Sequence, residues 1–221
     1  MMIKKTLLIF LLLGFSNLYS QEIYLKTGKN TTKFDFSSPN NNPEISYRSG
    51  SGEFYEIGYL FNLKNQKLTY SIALTYNEWN ASASYLGNNY NWETNYLGIQ
   101  QIGSYQLYKS TGIEVIILGG VNTATIVSGD QFINTSYFDI KNDVEFSGIV
   151  IQPLLGASLK YFISEKISLS LGYNFSTAYN LSNSTDETLI VKNSQFQFGI
   201  HIPIWKSNSN MNTSSNLTSP N

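Results

Sequence analysis

The sequence predicts an all-β protein, an eight-stranded antiparallel up-and-down barrel that crosses a membrane. Three observations support this prediction. Bulky apolar and small polar residues alternate with a period of two in several stretches, and the connections between these stretches alternate between short and long. The bulky faces also carry more side chains than the interior of an eight-stranded barrel could hold.

The clearest alternation lies between residues 52 and 77, where two runs flank a polar turn at Asn65-Gln66. One face of the second run carries the bulky residues Leu68, Tyr70, Ile72, Leu74 and Tyr76. The other face carries Thr69, Ser71, Ala73, Thr75 and Asn77. Successive side chains of a strand point to opposite faces, so this pattern predicts a β-hairpin with one apolar and one polar face.

Six further strands are predicted around this hairpin. They are residues 22–36, Trp92 to Tyr108, Ile113 to Val127, Phe146 to Ile163, a strand that starts at Ile167, and Leu189 to Trp205. In the strand from Trp92, Leu97 and Ile99 are out of phase with Ile102, which predicts a bulge near Gln100-Gln101. Because two of the strands have weaker patterns, six or ten strands remain alternatives.

The predicted connections alternate in length along the chain. Short turns are expected at 64–66, 109–112 and 164–166, and longer loops at 37–51, 79–91, 128–145 and 180–187. Outer-membrane barrels have short periplasmic turns and longer outside loops, so the alternation predicts this orientation.

The two faces of the strands predict which side meets lipid. The small polar set would fill a narrow interior, whereas the bulky Leu, Ile, Phe and Tyr set would not fit there. We therefore expect the bulky set to face hydrocarbon, where a closed sheet is needed to pair every backbone N–H and C=O group. A soluble lipid-binding barrel of the periplasm is the alternative.

The ends of the chain predict export. Lys4 and Lys5 precede an apolar stretch that is too short for a membrane helix, and Ser20 follows it, as in a cleaved secretory signal of residues 1–20. The barrel is expected over 21–205 and a disordered polar tail over 206–221. The chain has no cysteine, so disulfides and thiolate metal sites are excluded. Without the signal, 12 basic and 15 acidic residues remain, which argues against nucleic acid as a partner.

Aromatic residues cluster near the predicted strand ends and indicate two interfacial girdles. The girdle at the short turns would contain Phe61, Tyr70, Tyr105, Tyr108, Tyr161 and Trp205. The girdle at the long loops would contain Trp79, Tyr90, Trp92, Phe146, Phe175 and Tyr179. The strand propensity of Tyr and Phe is the alternative explanation.

Four titratable residues fall on inward phases and predict a charged network in the lumen: Glu56, Glu114, Lys160 and His201. Weaker patterns place Glu53 and Glu93 on the same inward phase. An ion path or a carboxylate pair for acid–base chemistry is the alternative to a plug. A lipid A deacylase would use a histidine with a serine and an acid at the lipid face, but no serine lies two positions after His201. No catalytic residue, cofactor or enzyme activity is therefore predicted.

The segment from Asp130 to Glu145 also contains Asp139 and Asp143, and clustered carboxylates can bind Ca²⁺. The spacing matches no EF-hand, and the fixed glycine of that loop is missing. We predict a solvated acidic loop and no metal site.

Several segments resemble the small outer-membrane β-barrel proteins of the Bacteroidetes type, with porin-like or OmpA-like barrel domains. They are the N-terminal signal, LKTGKN at 25–30, FYEIGY at 54–59 and the last strand FQFGIHIPIW. The resemblance implies the outer membrane of a Gram-negative cell, outer-membrane lipid and the barrel-assembly machinery as partners, and no agreed activity. Such barrels often end at the terminal aromatic residue, whereas 16 residues follow Trp205 here.

The predicted function is non-enzymatic. We expect a monomeric barrel with a structural or surface-interaction role, whose long loops meet an outside ligand that the sequence does not identify. A small-solute channel or carrier is the first alternative, and a lipid-modifying membrane enzyme is the second.

Overall fold

The computed structural model describes residues 19–37, 46–63, 67–181 and 188–204. Within these ranges the strands are β1 (Tyr19–Ser37), β2 (Ser46–Asn62), β3 (Leu68–Tyr85), β4 (Asn88–Lys109), β5 (Ile113–Ile133), β6 (Ser136–Asp139), β7 (Ile149–Phe162), β8 (Ser168–Asn180) and β9 (Thr188–Pro203). The predicted signal and tail lie outside the described residues, apart from Tyr19 and Ser20, which begin β1.

Eight of these strands close into a ring. Their hydrogen-bonded order is β4-β3-β2-β1-β9-β8-β7-β5, and β4 pairs with β5 to complete the circle. β1 pairs with the whole of β9, from Glu22 opposite Pro203 to Ser37 opposite Thr188. All pairings are antiparallel, so the predicted eight-stranded up-and-down barrel is confirmed. In the part of the chain that the structure describes, no helix is long and apolar enough to cross a membrane.

The two ends of the barrel differ. The short-turn rim carries Leu63, Lys67 and residues 110–112 and 163–167, and β1 starts and β9 ends there. The opposite end, the long-loop rim, carries residues 86–87 and 134–148. Here β6 folds back onto the last four residues of β5, from Asp130 to Ile133.

The predicted long loop at 79–91 is wrong. β3 continues to Tyr85 and β4 starts at Asn88, so only Leu86 and Gly87 connect them. Both residues have positive φ, 48° and 81°, as a two-residue hairpin turn with the right twist requires. The many Asn residues of this segment suggested a loop, but cross-strand pairing continues from Trp79–Thr94 to Tyr85–Asn88.

The predicted bulge at Gln100-Gln101 is also wrong. Those two residues pair in continuous register with β3 and with β5. The register shifts of β4 against β5 lie instead at Asn95/Tyr96 and Gln106/Tyr108. Ile102 is out of phase with Leu97 because it faces the barrel interior, where it is 2% exposed.

The outer surface carries a continuous apolar belt. Leu25 lies opposite Ile57, Ile57 opposite Leu74, and Leu74 opposite Ile99, on four neighbouring strands. Each of the four side chains is about half exposed, between 49% and 53%. Soluble monomers rarely expose contiguous apolar patches larger than a few hundred Å², so this belt is typical of a lipid-facing surface.

The aromatic residues divide between the two faces. Exposed rings on the outer wall are Tyr105, Tyr108, Tyr161, Phe175 and Tyr179, as the girdles require. Trp79, Trp92 and Phe146 are buried inside the barrel, so their assignment to a girdle is wrong. Phe61 is buried between Tyr59 and Tyr70, whose ring centroids lie 4.7 and 6.2 Å away. Trp205 lies outside the described residues.

Candidate functional site in the barrel interior

The interior next to the long-loop rim is filled by an apolar plug. Its members lie at inward positions near the strand ends of the long-loop rim or on the 134–148 connection. They are Phe34, Trp79, Ala81, Ala83, Trp92, Tyr96, Ala124, Ile126, Ile140, Phe146, Val150, Ala178, Leu189 and Val191. Trp79 and Phe34 are fully buried. Trp79 packs on Tyr96 with ring centroids 4.4 Å apart, and Phe146 packs on Phe34 at 6.0 Å. The small polar interior predicted from the sequence is therefore wrong at this end.

An amide layer lies below the plug. Gln195 Nε2 donates to Asn30 Oδ1 at 2.8 Å and reaches Asn77 Oδ1 at 3.3 Å. On the opposite wall, Asn122 Nδ2 donates to Gln152 Oε1 at 2.9 Å. These buried polar groups satisfy one another. The Gln195–Asn77 contact joins β9 to β3, which are not neighbours in the ring.

A charged cup occupies the interior at the short-turn rim. Its three ion pairs join Lys26 to Glu56 at 3.4 Å, Lys109 to Glu114 at 2.6 Å, and Lys160 to Glu22 at 2.6 Å. The cup encloses a cavity of about 690 Å³, lined in part by Tyr24, Ser170 and His201. Positive and negative groups alternate around it, so each buried charge has a counter-ion.

The four residues predicted for the lumen network all lie on inward phases and line or border this cup. Glu56 is 3% exposed, Lys160 and His201 are 5% exposed, and Glu114 is 9% exposed. They do not form one contiguous network, because Lys160 pairs with Glu22 rather than with Glu56 or Glu114. Glu56 instead accepts hydrogen bonds from Lys26 and, at 3.1 Å, from Gln100.

Glu53 and Glu93 do not face the lumen, and their assignment to the network is wrong. Glu53 lies on the outer wall in an ion pair with Lys29 at 2.9 Å. Glu93 is exposed on the same phase as Leu97. The inward positions next to these residues are even-numbered, whereas 53 and 93 are odd. A predicted strand over residues 88–109 would therefore have placed Glu93 on the outer face.

One constellation in the cup has the residue types of nucleophilic catalysis. Ser170 Oγ lies 2.9 Å from His201 Nε2, and Glu22 Oε2 lies 3.5 Å from His201 Nδ1. Such a set can activate a hydroxyl only if the acid holds the imidazole by a hydrogen bond. Here the separation exceeds a hydrogen bond, and the same carboxylate oxygen is held by Lys160 at 2.6 Å. The arrangement therefore fits a structural polar cluster better than a serine nucleophile.

The sequence pattern missed Glu22, Lys26 and Ser170 as members of the cup. All three have the inward phase of their strands. Glu22 and Lys26 share the phase of buried Tyr24, whereas Leu25 is exposed. Ser170 shares the phase of buried Ser168, whereas Leu169 is half-buried. The signal was present in the phase, but the partners could not be found without the strand register. His201 meets Ser170 because β8 and β9 pair with Ser168 opposite His201.

The acidic segment from 130 to 145 is engaged locally. Asp130 accepts a hydrogen bond from the Tyr137 hydroxyl at 2.8 Å, and Asp139 accepts one from the Lys141 backbone at 2.9 Å. Across the described ranges, no group of three or more His, Asp or Glu residues is arranged to hold a metal ion.

Comparison with known proteins places the fold. No protein-family model and no curated protein matches this chain. The outer membrane protein OprG from Pseudomonas aeruginosa matches with a TM-score of 0.56 at 9% identity, over 86% of this chain and 98% of OprG. Neisserial surface protein A matches with a TM-score of 0.44 at 14% identity, over 81% of this chain and 96% of that protein. Ail of Yersinia pestis matches with a TM-score of 0.44 at 8% identity, over 84% of this chain and 99% of Ail. The match to OprG shows that the chain shares the fold of outer-membrane β-barrels, while the Bacteroidetes type stays a prediction.

Proposed function

We propose that this protein is a non-enzymatic outer-membrane barrel that contacts partners outside the cell through its long-loop rim. The observation that carries the proposal is the combination of an apolar outer belt with an interior that is closed above the cup. The belt supports insertion in a bilayer, and the closed interior directs any contact with the outside to the rim.

The belt argues against the soluble lipid-binding alternative. A soluble barrel would turn Leu and Ile inward around its ligand, whereas Leu25, Ile57 and Leu74 point outward here. The lining of the cup carries ion pairs and does not suit an acyl chain.

The plug and the amide layer argue against a channel or carrier. Trp79, Phe34 and Asn30 are fully buried, so side chains occupy the lumen at the levels of the plug and of the amide layer. Small barrels have side-chain-filled interiors for the same reason. We expect no conductance steps in planar bilayers, and stable ohmic steps would instead favour the channel.

The hairpin of β4 and β5 supports a contact role. These strands have 22 and 21 residues, whereas about 9–11 residues suffice to cross a bilayer. The excess lies at the long-loop rim, where Leu86, Tyr137 and Phe138 are exposed. Tyr137 donates to the Asp130 carboxylate, and this hydrogen bond raises the pKa of the phenol above its usual value.

Orientation can be tested with single cysteines, because the chain contains none. An Asn134→Cys variant should react with a membrane-impermeant maleimide on intact cells, since Asn134 is exposed at the long-loop rim. The matched control, Ser164→Cys on the short-turn rim, should react only after lysis. Fractionation should place both variants with the outer membrane; recovery in the detergent-free soluble fraction would refute the proposal.

The contact role needs a separate test. A variant with Leu86→Ser, Tyr137→Ser and Phe138→Ser should reach the surface normally, as measured by Asn134→Cys labelling in the same background. We expect it to reduce cell–cell aggregation or attachment relative to wild type. If the variant kept wild-type aggregation and wild-type attachment, the rim would not be a contact surface and a structural role would remain.

The lipid-modifying alternative is tested on His201. If the cup were catalytic, lipid A mass spectra of cells with wild-type protein and with His201→Ala would differ. We expect them to be the same, because His201 lies in the lumen rather than on the lipid face.

A further inference from the structure

A groove crosses the outer wall on the long-loop side of the apolar belt. Its lining includes four small outward side chains, Ser49 on β2, Thr31 on β1, Ser194 on β9 and Thr177 on β8, and Thr31 lies directly opposite Ser194. The groove has a volume of about 620 Å³. Its small residues lie between rows of larger ones, so the depression follows directly from side-chain size.

The side of the groove towards the short-turn rim is apolar. Phe175 lies opposite Ser194 on the neighbouring strand, and Leu155 lies opposite Phe175. These two side chains are 60% and 70% exposed, among the most exposed apolar groups of the wall. Phe196 continues the row on β9 and is half exposed.

The floor of the groove contains an interruption in the sheet. The β7–β8 pairs pass from Ile151–Tyr179 to Leu154–Ser176. Pro153, which lines the groove, falls in this gap, and it has no N–H to donate to β8. The Thr177 strand segment beside it is therefore less covered by hydrogen bonding than the rest of the wall.

The side towards the long-loop rim is cationic. Lys33 and Lys192 lie directly opposite each other on β1 and β9, and both line the groove. They share one carboxylate, since Asp35 lies 2.7 Å from Lys192 and 3.7 Å from Lys33. The lysine side chains are 47% and 62% exposed, so the trio presents an accessible net positive charge.

We propose that this outer-wall groove binds a phosphorylated lipid of the surrounding leaflet. The phosphate contacts Lys33 and Lys192, and an acyl chain lies along Phe175 and Leu155. The order of groups along the wall, cationic, then small and polar, then apolar, is the order of groups in such a lipid from headgroup to tail. Ammonium groups form charge-assisted hydrogen bonds with phosphate oxygens. This inference rests on the proposed membrane location, which supplies the lipid.

A protein or peptide ligand fits the groove less well. The cationic and apolar sides of the groove are separated along the membrane normal. They lie at the edge of the belt that faces the long-loop rim, which is the level of the lipid headgroups. The exposed aromatic Tyr179, which also lines the groove, has the amphipathic character of residues at headgroup level.

The test uses the full chain in a neutral detergent, titrated with lipid A and monitored by native mass spectrometry. Lys33→Glu/Lys192→Glu should weaken lipid A binding at least tenfold, and Lys33→Arg/Lys192→Arg should retain it. The matched control, Lys141→Glu/Lys166→Glu, changes the same charge at two exposed lysines outside the groove and should bind as wild type. Equal binding by the Lys33/Lys192 reversal and the control would overturn the proposal.

Two more variants test the details of the groove. Asp35→Asn removes the competing carboxylate and should tighten lipid A binding several-fold. Ser194→Trp fills the groove without changing its charge and should weaken binding. A dephosphorylated lipid A should bind more weakly than the phosphorylated form, and equal binding of the two would overturn the role of the lysines. Fractionation distinguishes the two proposals: a membrane-located protein with unselective binding would refute only the groove.

Discussion

Lys160 Nζ lies 2.6 Å from Glu22 Oε2, and this ion pair joins residues that are 138 positions apart in the chain. It connects β7 to β1, which are separated in the ring by β8 and β9. The cup is therefore held together across the lumen as well as around the wall. The side chains are 6% and 13% exposed, so water screens the pair little.

The first prediction concerns this pair. Lys160→Met should lower the melting temperature in detergent, because it leaves the buried Glu22 carboxylate without its ammonium partner. Breaking a buried pair from one side costs about 3 kcal/mol or more. Lys166→Met, at an exposed lysine of the short-turn rim, is the matched control and should melt as wild type.

A double variant makes the argument sharper. Lys160→Met with Glu22→Gln should be less destabilised than the sum of the single changes, since no uncompensated charge remains. An unchanged melting temperature for Lys160→Met would remove the case for an ion-paired plug in the cup.

The second prediction concerns the apolar plug. Trp79→Ala should destabilise the barrel by about 3–5 kcal/mol, and Trp79→Phe by less, because the ring is fully buried against Tyr96. In a Trp92→Phe/Trp205→Phe background, lipids brominated in their acyl chains should not quench Trp79 fluorescence.

The control for quenching is a tryptophan on the belt. Phe198→Trp in a background that lacks the native tryptophans should be quenched strongly, since Phe198 is 41% exposed on the outer wall. Strong quenching of Trp79 would place it in a lipid-facing girdle instead of the plug.

The third prediction separates a membrane barrel from a soluble one. Ile57→Arg should destabilise the protein in lipid bilayers by about 2–4 kcal/mol, because Ile57 is half exposed in the middle of the belt. Val144→Arg, at an exposed side chain of the connection after β6, should change stability by no more than about 0.5 kcal/mol. A neutral Ile57→Arg would mean that this surface meets water.

The fourth prediction concerns Ser170. A fluorophosphonate probe should not label it, since Glu22 is bound to Lys160 rather than hydrogen-bonded to His201. Labelling that is lost in both Ser170→Ala and His201→Ala would contradict this expectation and favour a serine hydrolase. Labelling unaffected by Ser170→Ala would come from another group.

Much of the barrel could be predicted from the sequence because strand alternation is a local property. The phase of β3 alone predicts that Ile72 and Leu74 lie on the bulky outer face, and both side chains are exposed there in the structure. The loop predicted at 79–91 is wrong because the strand alternation continues through this Asn-rich segment. Trp79 and Trp92 have the inward phases of their strands, so continuing the alternation would have found them.

The site was less predictable because partners depend on ring closure. Phase placed Lys160 and His201 in the lumen, but nothing local indicated that their common neighbour is Glu22. The same holds for the outer-wall groove, where Lys33 and Lys192 meet only through the β1–β9 pairing.

The amino-acid sequence by itself determined which side chains face out and which face in, since a period of two is set by the backbone geometry of each strand. Only the tertiary structure decided which inward residues touch, because strand register and closure bring together positions that are far apart in the chain. The division of the lumen into plug, amide layer and cup is a result of that register.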